Sequence, residues 1–120
     1  MEYLLLIYGD EKVVPQDESK SNTERYATIL EEYMAFSKEV EEAGIVLGAN
    51  PLESVANATT VRVRDGKTQT TDGPFAETKE QLAGYYLLDC ETEEEALKWA
   101  AKIPGAKWGS IEVRPIMKFE

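Results

Sequence analysis

Two segments of this chain are apolar on both faces of an extended backbone. Tyr3 to Tyr8 runs YLLLIY, and Ala83 to Cys90 runs AGYYLLDC. A strand alternates its side chains, so a one-sided sheet needs apolar residues only at every second position. Unbroken runs of this kind predict central strands with something packed on each face. The runs are too short to cross a bilayer, which takes about 20 apolar residues. The first one has no basic leader and passes directly into Gly9, Asp10 and Glu11, so it reads as a strand rather than a secretion signal.

Two helices are expected between the strands. Ser21 followed by Glu24 has the form of a capping box. Beyond it Tyr26, Ile29, Leu30, Tyr33, Phe36, Val40 and Ala43 recur at helical spacing, and Gly44 suits the end. Thr92 and Glu95 form a second capping box ahead of Ala96, Leu97, Ala100 and Ile103, with Gly105 near the terminus. Ile45 to Leu47 predicts a short extended piece interrupted at Gly48 to Pro51. Ala58 to Arg64 alternates and meets Asp65-Gly66, a tight-turn dipeptide, before returning through Lys67 to Thr71. Ser110 to about Met117 predicts the closing strand. The polar stretch from Gly9 to Asn22 reads as a loop long enough to carry function.

The order β-α-β-β, then β-α-β, describes an α+β chain of the ferredoxin-like type with an added strand pair, in one domain over residues 1–120. Two helices cover one face of such a sheet. Leu4, Leu5, Leu6, Ile7, Tyr85, Tyr86, Leu87 and Leu88 supply both faces. Leaving such side chains in water forfeits about 1.5–3 kcal/mol each. Pairing the uncovered face with the same face of another subunit gives an isologous homodimer.

Charge and missing residue types narrow the function. Thirteen Lys and Arg against 23 Asp and Glu leave a net charge of −10, which argues against nucleic-acid binding. The chain contains no histidine, and no P-loop, GxGxxG or CxxC pattern occurs, so the expected cofactor and metal sets are both empty. A single cysteine, Cys90, rules out an internal disulfide and agrees with a cytoplasmic location. Standing at a strand end without a histidine partner, it has no activating base.

The densest chemistry lies in TDGPFAETKEQ, residues 71–81. Asp72-Gly73-Pro74 has the composition of a turn, with an acceptor, a residue free to take positive φ and a fixed exit, and Phe75 suits a core plug beneath it. The functional alternative makes Asp72 a ligand or proton-transfer carboxylate, with Glu77 facing the same cleft so that one pKa rises. Glu77, Lys79 and Glu80 otherwise form a solvated face on one helical turn. Strand parity supplies a second constellation: with Val61, Val63, Ile111 and Val113 toward the helices, Arg62, Arg64, Glu112 and Arg114 face the other way. They form either an interfacial ion-pair network or, through Arg62 and Arg114, an anion clamp. Tyr26, Tyr33, Tyr85 and Tyr86 suit core or interface, with a phenol such as Tyr86 lining the site as the alternative. Trp99 and Trp108 read as packing residues.

TDGPFAETKEQLAGYYLLD resembles the signature of the DGPF, or YCII-related, family of small bacterial proteins. The resemblance extends to MEYLLLIYGDE, ATTVRVRDGK, EEALKWAAKIPGA and GSIEVRPIM, nearly the whole chain. It implies a dimeric α+β barrel with a cleft beside the sheet and a biochemical role that is largely undefined. The His–Asp pair of more distant relatives has no counterpart in a chain without histidine. Three functions stay open. One is a cofactor-free proton-transfer enzyme, isomerase- or lyase-like, acting on a small anion, with Asp72 or Glu77 as base and Arg62, Arg114, Tyr86 and Phe75 around the substrate. Another is a non-catalytic module that binds a small ligand or serves regulation. The third is an interaction scaffold with a dry interface and no pocket.

Overall fold

The protein is described from a computed structural model, covering residues 1–12 and 21–119. The elements run β1 (Glu2–Gly9), α1 (Asn22–Glu42), β2 (Val46–Pro51), β3 (Thr59–Arg64), β4 (Lys67–Asp72), β5 (Gln81–Asp89), α2 (Glu93–Lys102) and β6 (Ser110–Pro115). Short 3₁₀ turns sit at Val55–Asn57 and Pro104–Lys107. The functional loop expected between Gly9 and Asn22 falls largely on residues 13–20, outside the described residues.

Both predicted caps form. The Ser21 hydroxyl accepts from the Glu24 backbone N–H at 3.2 Å, and the Thr92 hydroxyl accepts from that of Glu95 at the same distance. The Glu95 carboxylate reaches back to the N–H of Glu91 at 3.0 Å, one residue before the cap. These contacts satisfy donors that the first helical turn leaves free.

Four strands make an antiparallel sheet in the order β2-β5-β1-β6, the ferredoxin-like arrangement. The two doubly apolar runs lie side by side at its centre, with Leu5 opposite Tyr86 and Leu4 opposite Leu87. Tyr3, Leu5, Ile7, Tyr86 and Leu88 turn toward the helices and pack with Phe36, Val40, Ala96, Ala100 and Ile103. The Phe36 ring meets Tyr86 edge-on at 5.1 Å and Trp99 at 6.2 Å. Leu4, Leu6, Tyr85 and Leu87 stand on the opposite face, only partly buried, beside Glu112 and Arg114 of β6.

Several expectations are corrected. The second strand is not interrupted at Gly48; it continues to Pro51, with Gly48 paired to Leu87 and Leu47 as the extra residue of a bulge between Val46 and Gly48. The β3–β4 hairpin forms around Asp65-Gly66, both with positive φ, but it is a separate two-stranded sheet. Val61 and Val63 therefore do not face the helices as Ile111 and Val113 do; each is 60% exposed. Alternation records a two-faced ribbon and cannot say which surface the apolar face meets. Residues 73–80 form bends rather than a helical turn, and Phe75 is no core plug, being 78% exposed.

Leu88 is wholly buried at the centre of this core. Leu88→Ala is expected to lower the unfolding free energy by about 2–5 kcal/mol in a urea titration, whereas Leu97→Ala on the exposed side of α2 stays within about 1 kcal/mol.

Candidate functional site

A groove of about 730 Å³ lies between α1 and the β2–β5 edge of the sheet. Two physical facts create it. Helix α1 is 21 residues long, and only Phe36 and Val40, in its second half, reach the buried core. Ahead of them Tyr26, Ile29, Leu30, Tyr33 and Met34 of the same helix run along the groove. Opposite them, Ala49, Pro51, Ala83 and Gly84 present small or flat groups, which leave the space unfilled.

The groove is chiefly apolar, with a polar floor. The hydroxyls of Ser37 and Tyr86 lie 2.8 Å apart and share a hydrogen bond. The Tyr33 hydroxyl accepts the backbone N–H of Gly105 at 3.1 Å. A side chain at residue 105 would bring its Cβ to 2.7 Å from that oxygen, so the contact requires glycine. Burial raises the Tyr33 pKa above the usual tyrosine value, an effect the Gly105 N–H partly offsets. On the sheet face away from the helices Asn50 donates to the Tyr85 hydroxyl at 2.9 Å, while Lys38 and Glu41 of α1 give the groove one charge of each sign.

The residues singled out in the sequence lie in three places. Tyr86 is in the groove. Arg114 is exposed on β6, on the sheet face away from the helices, level with Leu4. Arg62, Asp72, Phe75 and Glu77 belong to the hairpin and the loop that follows it. There Arg62 donates to the Phe75 carbonyl at 3.3 Å, and the Thr60 hydroxyl donates to the Gly73 carbonyl at 2.8 Å. Gly73, at φ +90°, donates its N–H to Ala58 at 2.7 Å and closes the base of the hairpin. Asp72 and Glu77 are exposed, and among the described residues neither carboxylate has a hydrogen-bond or ion-pair partner. One chain thus does not bring Asp72, Glu77, Arg62 and Arg114 together.

Sequence reasoning missed Ser37, which looks like any small helical residue until strand β5 sets Tyr86 beside it. It also missed Glu11. That carboxylate accepts from the Ser54 hydroxyl and the Val55 N–H, both at 2.9 Å, and ties the end of β1 to the approach of the hairpin. Cys90 is buried and its thiol pKa is raised, mainly by that burial, which keeps it protonated. Among the described residues no group of three or more Cys, Asp or Glu side chains is arranged around a metal position. No helix among them is long and apolar enough to cross a membrane.

An α+β fold with an open groove beside an antiparallel sheet defines the general class. Comparison with known proteins narrows it: the model of the YCII-related domain matches residues 1–120. An uncharacterised protein of Rhizobium meliloti (strain 1021) is 39% identical over 122 residues, spanning 100% of this chain and 95% of that protein. The chain belongs to the YCII-related domain family, whose function is undefined.

The raised Tyr33 pKa has a stability consequence. The unfolded chain releases this proton near the ordinary tyrosine pKa of 10.0 while the folded chain still holds it. The stabilisation is complete below that pH and is lost as pH rises through the folded-state value. Urea midpoints measured from about pH 9 to 11 should therefore fall, and the fall should be shallower in Tyr33→Phe. At neutral pH the same variant should lose about 1 kcal/mol, because Gly105 no longer has its acceptor.

Proposed function

We propose that this protein binds a small, largely apolar molecule carrying a hydroxyl or carbonyl group in the groove between α1 and the β2–β5 edge. The observation that carries this reading is the groove itself: about 730 Å³, apolar walls, and the Ser37–Tyr86 hydroxyl pair at the floor. Small-molecule sites commonly occupy about 300–1,000 Å³ and combine apolar walls with a few fixed polar groups. The hydroxyl pair both donates and accepts, so it can rearrange to meet either a carbonyl or a hydroxyl.

The working unit in this reading is a homodimer. Leu4, Leu6, Tyr85 and Leu87 form an apolar band on the sheet face that the helices leave open, and two such bands meet by a two-fold axis. We infer a cytoplasmic location from the single free cysteine.

A second reading is a cofactor-free proton-transfer enzyme, isomerase- or lyase-like, acting on a small anion in a dimer cleft. Its support is the bond from Arg62 to the Phe75 carbonyl, which holds a guanidinium beside the loop carrying Asp72 and Glu77. In this reading a second subunit brings Arg114 to the same cleft.

Thermal-shift measurements against phenols, lactones, small organic acids and phosphates separate the two. Phenols or lactones should raise the melting temperature of the wild type and of Asp72→Asn alike, and lose that effect in Met34→Glu, which places a charge on the groove wall. Stabilisation by carboxylates or phosphates alone, abolished by Asp72→Asn and untouched by Met34→Glu, would reject the groove in favour of the enzyme.

A further inference from the structure

Among the described residues the strands of the β3–β4 hairpin pair only with each other, and its base is closed by the contacts among Ala58, Thr60 and Gly73. A two-stranded hairpin alone in water is marginal. This one carries Val61 and Val63 on one face, together with Thr68 and Thr70 across the ladder. The radius of gyration is 16.6 Å, against about 13–14 Å for a compact chain of this length.

A second apolar strip is exposed among the described residues. Tyr26, Leu30 and Met34 follow one another at four-residue spacing along α1 and line the groove. They are 56%, 62% and 64% exposed. Among the described residues, no side chain of the hairpin lines that groove. The two strips thus belong to one chain and do not meet within it.

We propose that the hairpin is an arm that reaches a second copy of this chain, laying Val61 and Val63 along its Tyr26–Leu30–Met34 strip and roofing its groove. The proposal rests on the homodimer and groove readings above. Charge selects the occupant. Helix α1 holds six carboxylates against two cations, a net of −4. The hairpin, Thr59 to Asp72, holds Arg62, Arg64 and Lys67 against Asp65 and Asp72, a net of +1 in a chain of −10. Three cations lie on the face opposite the valines, where their long stems can reach round the ribbon edge toward the acidic helix. Reach is adequate as well. From Thr59 to Val63 the strand extends about 13 Å, more than one sheet-to-sheet spacing of about 10 Å. Exchange of arms about a two-fold axis satisfies both strips on both copies and leaves no open end.

The arrangement encloses a groove that is open in the single chain. It thereby makes the hairpin part of the partner's binding site.

Mixing two single variants, Val63→Cys and Leu30→Cys, under mild oxidation tests the contact directly, because Cys90 is buried and its thiol is held protonated. The mixture should give a disulfide-linked dimer several-fold more abundant than either variant alone. Sedimentation velocity on the unmodified protein is run beside it. A dimer in solution without preferential cross-linking overturns the arm while leaving the homodimer intact. A monomer at the concentrations used overturns the homodimer, and the arm with it. Val61→Asp/Val63→Asp supplies a second readout that does not depend on disulfide geometry. This variant should fold normally by circular dichroism and dissociate at concentrations where the wild type is dimeric, and unchanged dimer stability would count against the arm.

Discussion

The structure depends on the pairing of β1 with β5. Each is apolar on both faces, and together they form the centre of the sheet, with Leu5 and Leu88 excluded from water on the helix side. The helices, the closing strand β6 and the edge strand β2 all attach to this pair. Because β1 and β5 are apolar on both faces, the same pairing that builds the core also leaves Leu4, Leu6, Tyr85 and Leu87 on the side no helix covers. One physical decision therefore has two outcomes: a stable interior on one side, and an unmet demand for cover on the other.

The groove follows from how α1 distributes its contacts. A 21-residue helix extends about 31 Å, and its buried residues, Phe36 and Val40, both lie in its second half. Tyr26, Leu30 and Met34, before them, remain exposed. Together with the Ser37–Tyr86 hydroxyl pair they give the groove apolar walls and a few fixed polar groups.

Much of this was legible before any coordinates. Both helix starts were readable because Ser21 and Thr92 precede glutamates at capping spacing, and that local chemistry acts over a single turn. The Asp65-Gly66 turn was readable for the same reason. The fold class followed from the order of the elements, and the buried stripe of α1 from its period. The candidate site was much less legible. Asp72, Arg62 and Phe75 were singled out by type and density, yet they stand on a projecting hairpin, while the groove is built from unremarkable residues such as Ser37, Ala49 and Gly84. Nothing local distinguishes a serine that will face a tyrosine 49 positions away.

The amino-acid sequence by itself determined the elements, their caps and turns, the family, and the presence of more apolar surface than two helices can hide. These depend on short-range spacing and on totals, both of which a linear chain displays. Tertiary structure alone decided where that surface went. It set Val61 and Val63 on a separate ribbon rather than on the core, carried β2 past Gly48 with a bulge at Leu47, left Phe75 in solvent, and opened a groove between α1 and the sheet edge. Each of these is a question of which distant surface a residue meets, and alternation or periodicity fixes a side chain's direction relative to its neighbours in the chain, never the identity of what lies opposite.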